Sequence, residues 1–259
     1  MGTVIGIAHQ KGGAGKTTTT IEIANNMAVF EKKVLIIDLD SQMNLSKYVD
    51  ADLSKPSIYE VLRGDVPYKD AIQHLGRIDV IPASESLTKS EREFIDVDDV
   101  YLLADLTEII VNSNEYEYIL VDSGPGRNIL LNMLYIASDY LIISCVTDGG
   151  SMYGVDKIYR DISQLRTGRR QVSHAKVLSM LLHNYHANWD NDKNKLKNLE
   201  LLKSQMEESP KIYTVRNYTG VNECKDYKMS LVDYDKNSTA AIDFRDLTYD
   251  LLELLEANA

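Results

Sequence analysis

Cysteine is scarce in this chain. Cys145 and Cys224 are the only two in 259 residues, and neither belongs to a Cys-x-x-Cys pair. That excludes a disulfide scaffold, argues against zinc or iron–sulfur ligation and fits a reducing compartment; each thiol reads as a small buried hydrophobe. The five histidines are scattered, with none paired at metal-ligand spacing. No apolar run approaches the roughly 18 residues of a membrane span. The first residues enter strand sequence at once, so no signal peptide is expected. Positive charge is in deficit, with 28 Lys and Arg against 39 Asp and Glu, a net charge of −11. The field of the whole molecule therefore does not attract nucleic acid, and any DNA contact must come from a local patch. Trp189 and the many tyrosines read as packing or surface residues rather than a base-stacking platform.

The hydrophobic fraction, 44%, is enough for an ordinary globular core. Apolar runs recur at 4–8, 34–37, 118–121 and 140–146, each short and continuous, as expected of strands covered on both faces. Further strands are expected near 77–82, 176–182 and 211–215. Helix-compatible segments lie at 16–30, 57–63, 100–112, 128–137, 153–165, 193–208 and 239–255. The segment 83–99 reads as a polar loop with a short helix. This alternation predicts an α/β fold, a mainly parallel sheet with helices on both faces. Repeats, low-complexity tracts and linkers are lacking, so a single domain over residues 1–259 is expected.

What the chain does have is a glycine-rich loop between the first strand and the first helix, His9-Gln10-Lys11-Gly12-Gly13-Ala14-Gly15-Lys16-Thr17-Thr18. Glycines let backbone N–H groups curl around one anion, and the helix start adds its own N–H groups and positive dipole end. Lys16 supplies a cation for β- and γ-phosphates, and Thr17 a hydroxyl for Mg²⁺. Gln10 stands where the general phosphate-loop pattern has its first glycine, and a second lysine, Lys11, precedes the glycines. Two carboxylates, Asp38 and Asp40, end the second strand, and Asp122 ends the strand 118–121. Ligand groups gather at such strand ends in open α/β sheets.

These motifs resemble the ParA/MinD family of deviant-Walker ATPases, and more closely its ParA/Soj type. The resemblance is sharp in the two-lysine loop, in Asp38-Leu39-Asp40-Ser41-Gln42-Met43-Asn44 and in Asp122-Ser123-Gly124-Pro125-Gly126, and faint over 50–110. It implies a three-layer P-loop NTPase fold, ATP and Mg²⁺ as cofactors, and slow, partner-stimulated ATP hydrolysis. It implies that Lys11 is a signature lysine reaching a phosphate held by the partner chain in an ATP-dependent homodimer. Lys11, Gly12, Gly13, Ala14, Gly15, Lys16, Thr17 and Thr18 would hold the nucleotide. Asp40 would position the attacking water, which makes it catalytic with Lys11 and Lys16. Asp122 would hold Mg²⁺ through a water, beside Thr17, and Asp38 would act on the Mg²⁺ shell or orient Lys16. Asn184 and Asn217 match segments that read the purine in this family.

ParA-type relatives bind DNA without sequence preference and release it when a ParB-like centromere-binding partner triggers hydrolysis. The candidate DNA contacts are Arg166, Arg169, Arg170, Arg216, Lys225 and Lys228. A cytoplasmic, nucleoid-associated location follows from the resemblance. The early first strand suggests the small ParA type that does not read an operator by itself. Two alternatives remain. A MinD-like membrane switch requires a basic amphipathic C-terminal helix, whereas Leu251-Leu252-Glu253-Leu254-Leu255-Glu256 has an acidic polar face; membrane binding is not expected. A metabolic P-loop enzyme requires a second substrate pocket, and none is legible in the sequence.

Overall fold

Apolar runs buried on both faces build the centre of the sheet. In the computed structural model, which describes residues 2–147 and 151–258, these runs become β1 (Thr3–Ala8), β2 (Val34–Leu39), β5 (Tyr118–Ser123) and β6 (Tyr140–Val146). The flanking strands are β3 (Gln73–Leu75), β4 (Ile78–Ile81), β7 (Lys176–Tyr185) and β8 (Lys211–Arg216). They form one sheet in the order β3-β4-β2-β5-β1-β6-β7-β8. Every pairing is parallel except β3 with β4. The sequence reading lacked β3. It is three residues of mixed polarity, turned back by Gly76, whose φ of +67° suits a two-residue hairpin loop.

Twelve helices complete the described chain: α1 (Lys16–Val29), α2 (Asn44–Tyr48), α3 (Ile58–Leu62), α4 (Tyr68–Ala71), α5 (Ser90–Glu93), α6 (Leu102–Asn112), α7 (Ile129–Ala137), α8 (Ser151–Thr167), α9 (Asp190–Lys203), α10 (Gly220–Tyr227), α11 (Leu231–Tyr234) and α12 (Thr239–Asn258). The sheet's period of two sorts its side chains onto two cores. Val4, Leu35, Ile37, Ile119 and Val121 face one, which is closed by α3, α6, α7, α8 and α9. Ile5, Ile7, Ile36 and Leu120 face the other, closed by α1 and α12 with residues of α10 and α11. The result is three layers, helices on both sides of a mainly parallel sheet, as expected. The helix expected at 193–208 instead starts at Asp190 and ends at Lys203. The short helices α10 and α11 were not anticipated, because their apolar residues are few and broken by charge.

Two local devices shape the site. Ser57 caps α3 reciprocally with Glu60, fixing the chain that leaves the second strand's loop. Glu22, fully buried on α1, accepts the Leu231 backbone N–H at 3.0 Å and so anchors the start of α11. Its carboxyl is pushed up to about 8, chiefly by burial.

Candidate functional site

The carboxyl ends of β1, β2, β5, β7 and β8 converge on one cleft of about 780 Å³, lined by the glycine loop, Asp40, Ser123, His183, Asn184 and Asn217 among others. The loop's shape needs glycine at two places. Gly13 and Gly15 have φ of +74° and +86°, a left-handed conformation that other residues rarely adopt. At Gly15 a Cβ would also stand 2.7 Å from the His183 ring. Helix α1 starts at Lys16 without a side-chain cap, so its first N–H groups point toward the loop as donors for an anion.

The loop rests on a hydroxyl network. Ser144 Oγ donates to the Ala14 carbonyl at 2.6 Å, and Thr19 Oγ1 lies 3.3 Å from Ser144 Oγ and 2.8 Å from His183 Nε2. Burial pushes the His183 imidazole down to about 4, with Lys225 acting in the same direction, so it is neutral at physiological pH. This supporting histidine was missed in the sequence. A single histidine at a strand end carries no spacing signal.

Lys16 is 7% exposed, and its Nζ donates to the Lys11 carbonyl at 3.4 Å. Burial lowers its ammonium, while Asp122 and Asp40 pull the other way. Lys11 stands exposed on the same loop and is not among the residues lining the cleft.

Asp122 is fully buried, and its Oδ2 accepts the Thr17 hydroxyl at 2.7 Å while Oδ1 has no protein partner. Burial, and then Asp38 beside it in the β2–β5 register, push its carboxyl up to about 8. An orphaned carboxylate oxygen next to a threonine hydroxyl and a lysine suits a hydrated divalent cation. Among the described residues no three His, Cys, Asp or Glu side chains converge as a ready metal cage. Mg²⁺ would therefore draw most of its ligands from phosphate oxygens and water. Asp38 needs correction as a metal candidate. Both its oxygens are engaged by its own chain: Oδ1 accepts the Asp40 N–H at 3.0 Å, and Oδ2 accepts the Ser46 N–H and hydroxyl at 2.9 and 2.7 Å. It pins the loop after β2 to α2, and Ser46 Oγ in turn accepts the Ala83 N–H at 2.9 Å.

Asp40 is 6% exposed at the edge of the cleft. Its Oδ1 accepts the Gln42 N–H at 2.9 Å, and a Cβ on Gly124 would stand 3.2 Å from that oxygen. The loops after β2 and β5 therefore meet at this carboxylate. Behind it lies a second cavity of about 170 Å³, bounded by Leu39, Asp40, Ser90, Glu91, Asn128 and Leu130 among others. Ser90 Oγ is buried there without a protein partner. Nothing in the sequence marks this space, because its walls come from three separate segments of the chain.

The six basic residues put forward for DNA do not share one surface. Arg216 and Lys225 line the main cleft, and Arg216 makes a bidentate pair with Asp243 at 2.7–3.1 Å. Lys228 pairs with Asp50 on the same side of the molecule. Arg166 is tied to Glu208 and, at 3.6 Å, to Glu207. Arg169 and Arg170 are exposed in the turn after α8, at the amino-terminal end of the strands, the far side of the sheet from the cleft. The proposed single basic patch is corrected accordingly. The sequence could show which residues were basic, but not that acidic partners neutralise Arg166, Arg216 and Lys228.

A family model described as an AAA domain matches residues 2–175. The chain is 33% identical over 168 residues to the chromosome partitioning protein ParA of Caulobacter vibrioides, covering 63% of each chain, so it spans less than two thirds of that relative's length. Its fold superposes on apo McdA from Cyanothece with a TM-score of 0.86 at 17% identity, covering 97% of this chain and 100% of the other. It superposes on the septum site-determining protein MinD of Pyrococcus horikoshii, complexed with Mg-ADP, with a TM-score of 0.79 at 20% identity, covering 100% and 99%. With its two-lysine loop and the model match over residues 2–175, the chain belongs to this family, the ParA/MinD type of P-loop ATPases.

Proposed function

We propose that the chain is an ATP-driven switch that closes into a homodimer on ATP, binds DNA without sequence preference in that state and partitions plasmid or chromosomal DNA. The observation that carries this reading is the division between the two lysines. Lys16 is buried and lines the cleft, whereas Lys11, five residues earlier on the same loop, is exposed and is not among the residues lining it. On this reading one cation serves the chain's own nucleotide and the other that of a facing copy.

The residues divide the work. Gly12 to Thr18 hold the phosphates with backbone N–H groups, and Lys16 balances their charge. Thr17 and Asp122 hold Mg²⁺, which screens the negative charge of the phosphate oxygens. Asp40 orients a water in line with the γ-phosphate and takes its proton. Asn184 and Asn217, at the ends of β7 and β8, face the base. A partner protein of the ParB kind would trigger hydrolysis and release.

The remaining candidates for DNA are Arg169 and Arg170. Two phosphate contacts per chain, four per dimer, predict a loss of roughly a hundredfold in affinity between 50 and 200 mM salt. DNA binding measured with ATP, with ADP and without nucleotide across that range tests this. The account expects ATP-dependent binding with that slope, weakened by Arg169→Glu with Arg170→Glu; equal binding in all three nucleotide states contradicts it.

The MinD-like alternative finds little support in α12, whose Leu247, Leu251, Leu252 and Leu255 are spent in the core. A phosphoryl-transferring enzyme gains some support from the cavity behind Asp40. Stimulation of hydrolysis by a small acid or nucleoside, and not by DNA or liposomes, would favour it.

A further inference from the structure

We propose that Asp161 is a positioning residue that ties the loop carrying Lys11 to the loop after β5, so that both are held in register by α8. The inference rests on the switch reading above for its effect on turnover, but the tie itself is a matter of geometry.

Asp161 lies on the inner face of α8, 9% exposed. Its Oδ2 accepts the Gln10 side-chain amide at 3.0 Å, and its Oδ1 pairs with the Arg127 guanidinium at 3.1 Å. These two partners come from different loops, and they are joined a second time, because the Gly126 backbone N–H donates to the Gln10 carbonyl at 2.8 Å. Gln10 is thus fixed through both its side chain and its backbone. A second contact of α8 lies seven residues earlier, two turns along the same face. There Gly154 approaches His9 so closely that a Cβ would stand 2.6 Å from the ring Nε2. His9 Nδ1 in turn accepts the Lys11 N–H at 3.0 Å. The residues before Lys11 are therefore clamped at two points by one helix, and Asp161 is the point that also reaches the loop following Asp122.

This gives Gln10 a reason to replace the glycine of the general phosphate-loop pattern. A glycine there would leave Asp161 with a single partner and the Lys11 loop without its side-chain anchor. None of these contacts is made by Lys16, Thr17 or Asp122, and their one link to the clamped segment is the Lys16 Nζ donation to the Lys11 carbonyl at 3.4 Å, so the chain's own nucleotide contacts depend little on it. What depends on it is where Lys11 points relative to Asp40 and the loop at Gly124–Gly126. Misplacing such a group by about 1 Å is enough to cost up to a hundredfold in rate.

The test has two arms on the full chain. In the first, amide hydrogen exchange is compared for the parent, Asp161→Ala and Asp161→Asn without nucleotide. Asp161→Ala should speed exchange roughly fivefold or more at both 9–13 and 124–128, sparing β1 and β5, with Asp161→Asn intermediate because its carbonyl still accepts one donor. Unchanged exchange at both loops overturns the tie. In the second arm, ATP affinity and turnover are measured separately. Asp161→Ala should lower kcat about tenfold or more with ATP affinity within about twofold, and Arg127→Ala should add little on that background, since both changes break one unit. Equal losses in affinity and kcat, or additive losses, overturn the positioning role. If the parent itself neither dimerises nor hydrolyses ATP, the switch reading fails while the exchange arm still decides the tie.

Discussion

Lys16 is held at 7% exposure in the cleft, where burial lowers its ammonium and Asp122 and Asp40 oppose that shift, and where a bound polyanion would add a further counter-charge. Lys16→Ala should reduce ATP affinity by roughly a hundredfold or more, as expected for a buried charge-assisted contact; titration with a fluorescent ATP analogue reads it, and unchanged affinity contradicts the cradle. Asp40→Ala should leave ATP affinity near that of the parent and lower kcat by about 10²–10⁴, trapping the ATP-bound form; normal turnover would remove Asp40 from the chemistry. At this scale the sequence was informative wherever chemistry lies in contiguous residues. Gly12 to Thr18 and Asp40 line the cleft, and Asp122 joins them through the Thr17 hydroxyl. It was uninformative where a partner comes from a distance. Asp38 is claimed by Ser46, eight positions on, and His183 meets Thr19 across 164 residues.

Elements were legible in proportion to their burial. β1, β2, β5 and β6 are covered on both faces, so their composition alone marks them. Neither β3 nor α11 exceeds four residues, and only tertiary contacts hold them: β3 through its hairpin with β4, α11 through Glu22. Glu22 carries a prediction of its own. Its folded carboxyl sits at about 8, above its ordinary 4.5, so the folded chain keeps a proton that the unfolded chain has lost. Stability contributed by this group therefore falls as pH rises from about 4.5 toward about 8. Glu22→Gln keeps an oxygen for the Leu231 N–H and cannot ionise. Thermal unfolding between pH 5 and 8.5 should show a flatter decline for the variant than for the parent; parallel profiles would refute the assignment.

For the whole molecule, a net charge of −11 and a split set of basic residues would make the proposed DNA binding a local and salt-sensitive event. The sequence conveyed the acidity but not that the surviving arginines, Arg169 and Arg170, lie across the sheet from the cleft. If Arg169 and Arg170 contact DNA as proposed, nucleotide state is communicated from one end of the strands to the other, and α8 runs between them, from the cleft side to that turn. The central claim is nonetheless prior to DNA: two copies close over two nucleotides through Lys11. Light scattering on the chain with Mg²⁺ and a non-hydrolysable ATP analogue tests it most directly. The account predicts that the mass doubles, and that Lys11→Ala still binds the analogue but stays at the mass of one chain; a parent that remains a single chain at saturating analogue would contradict it.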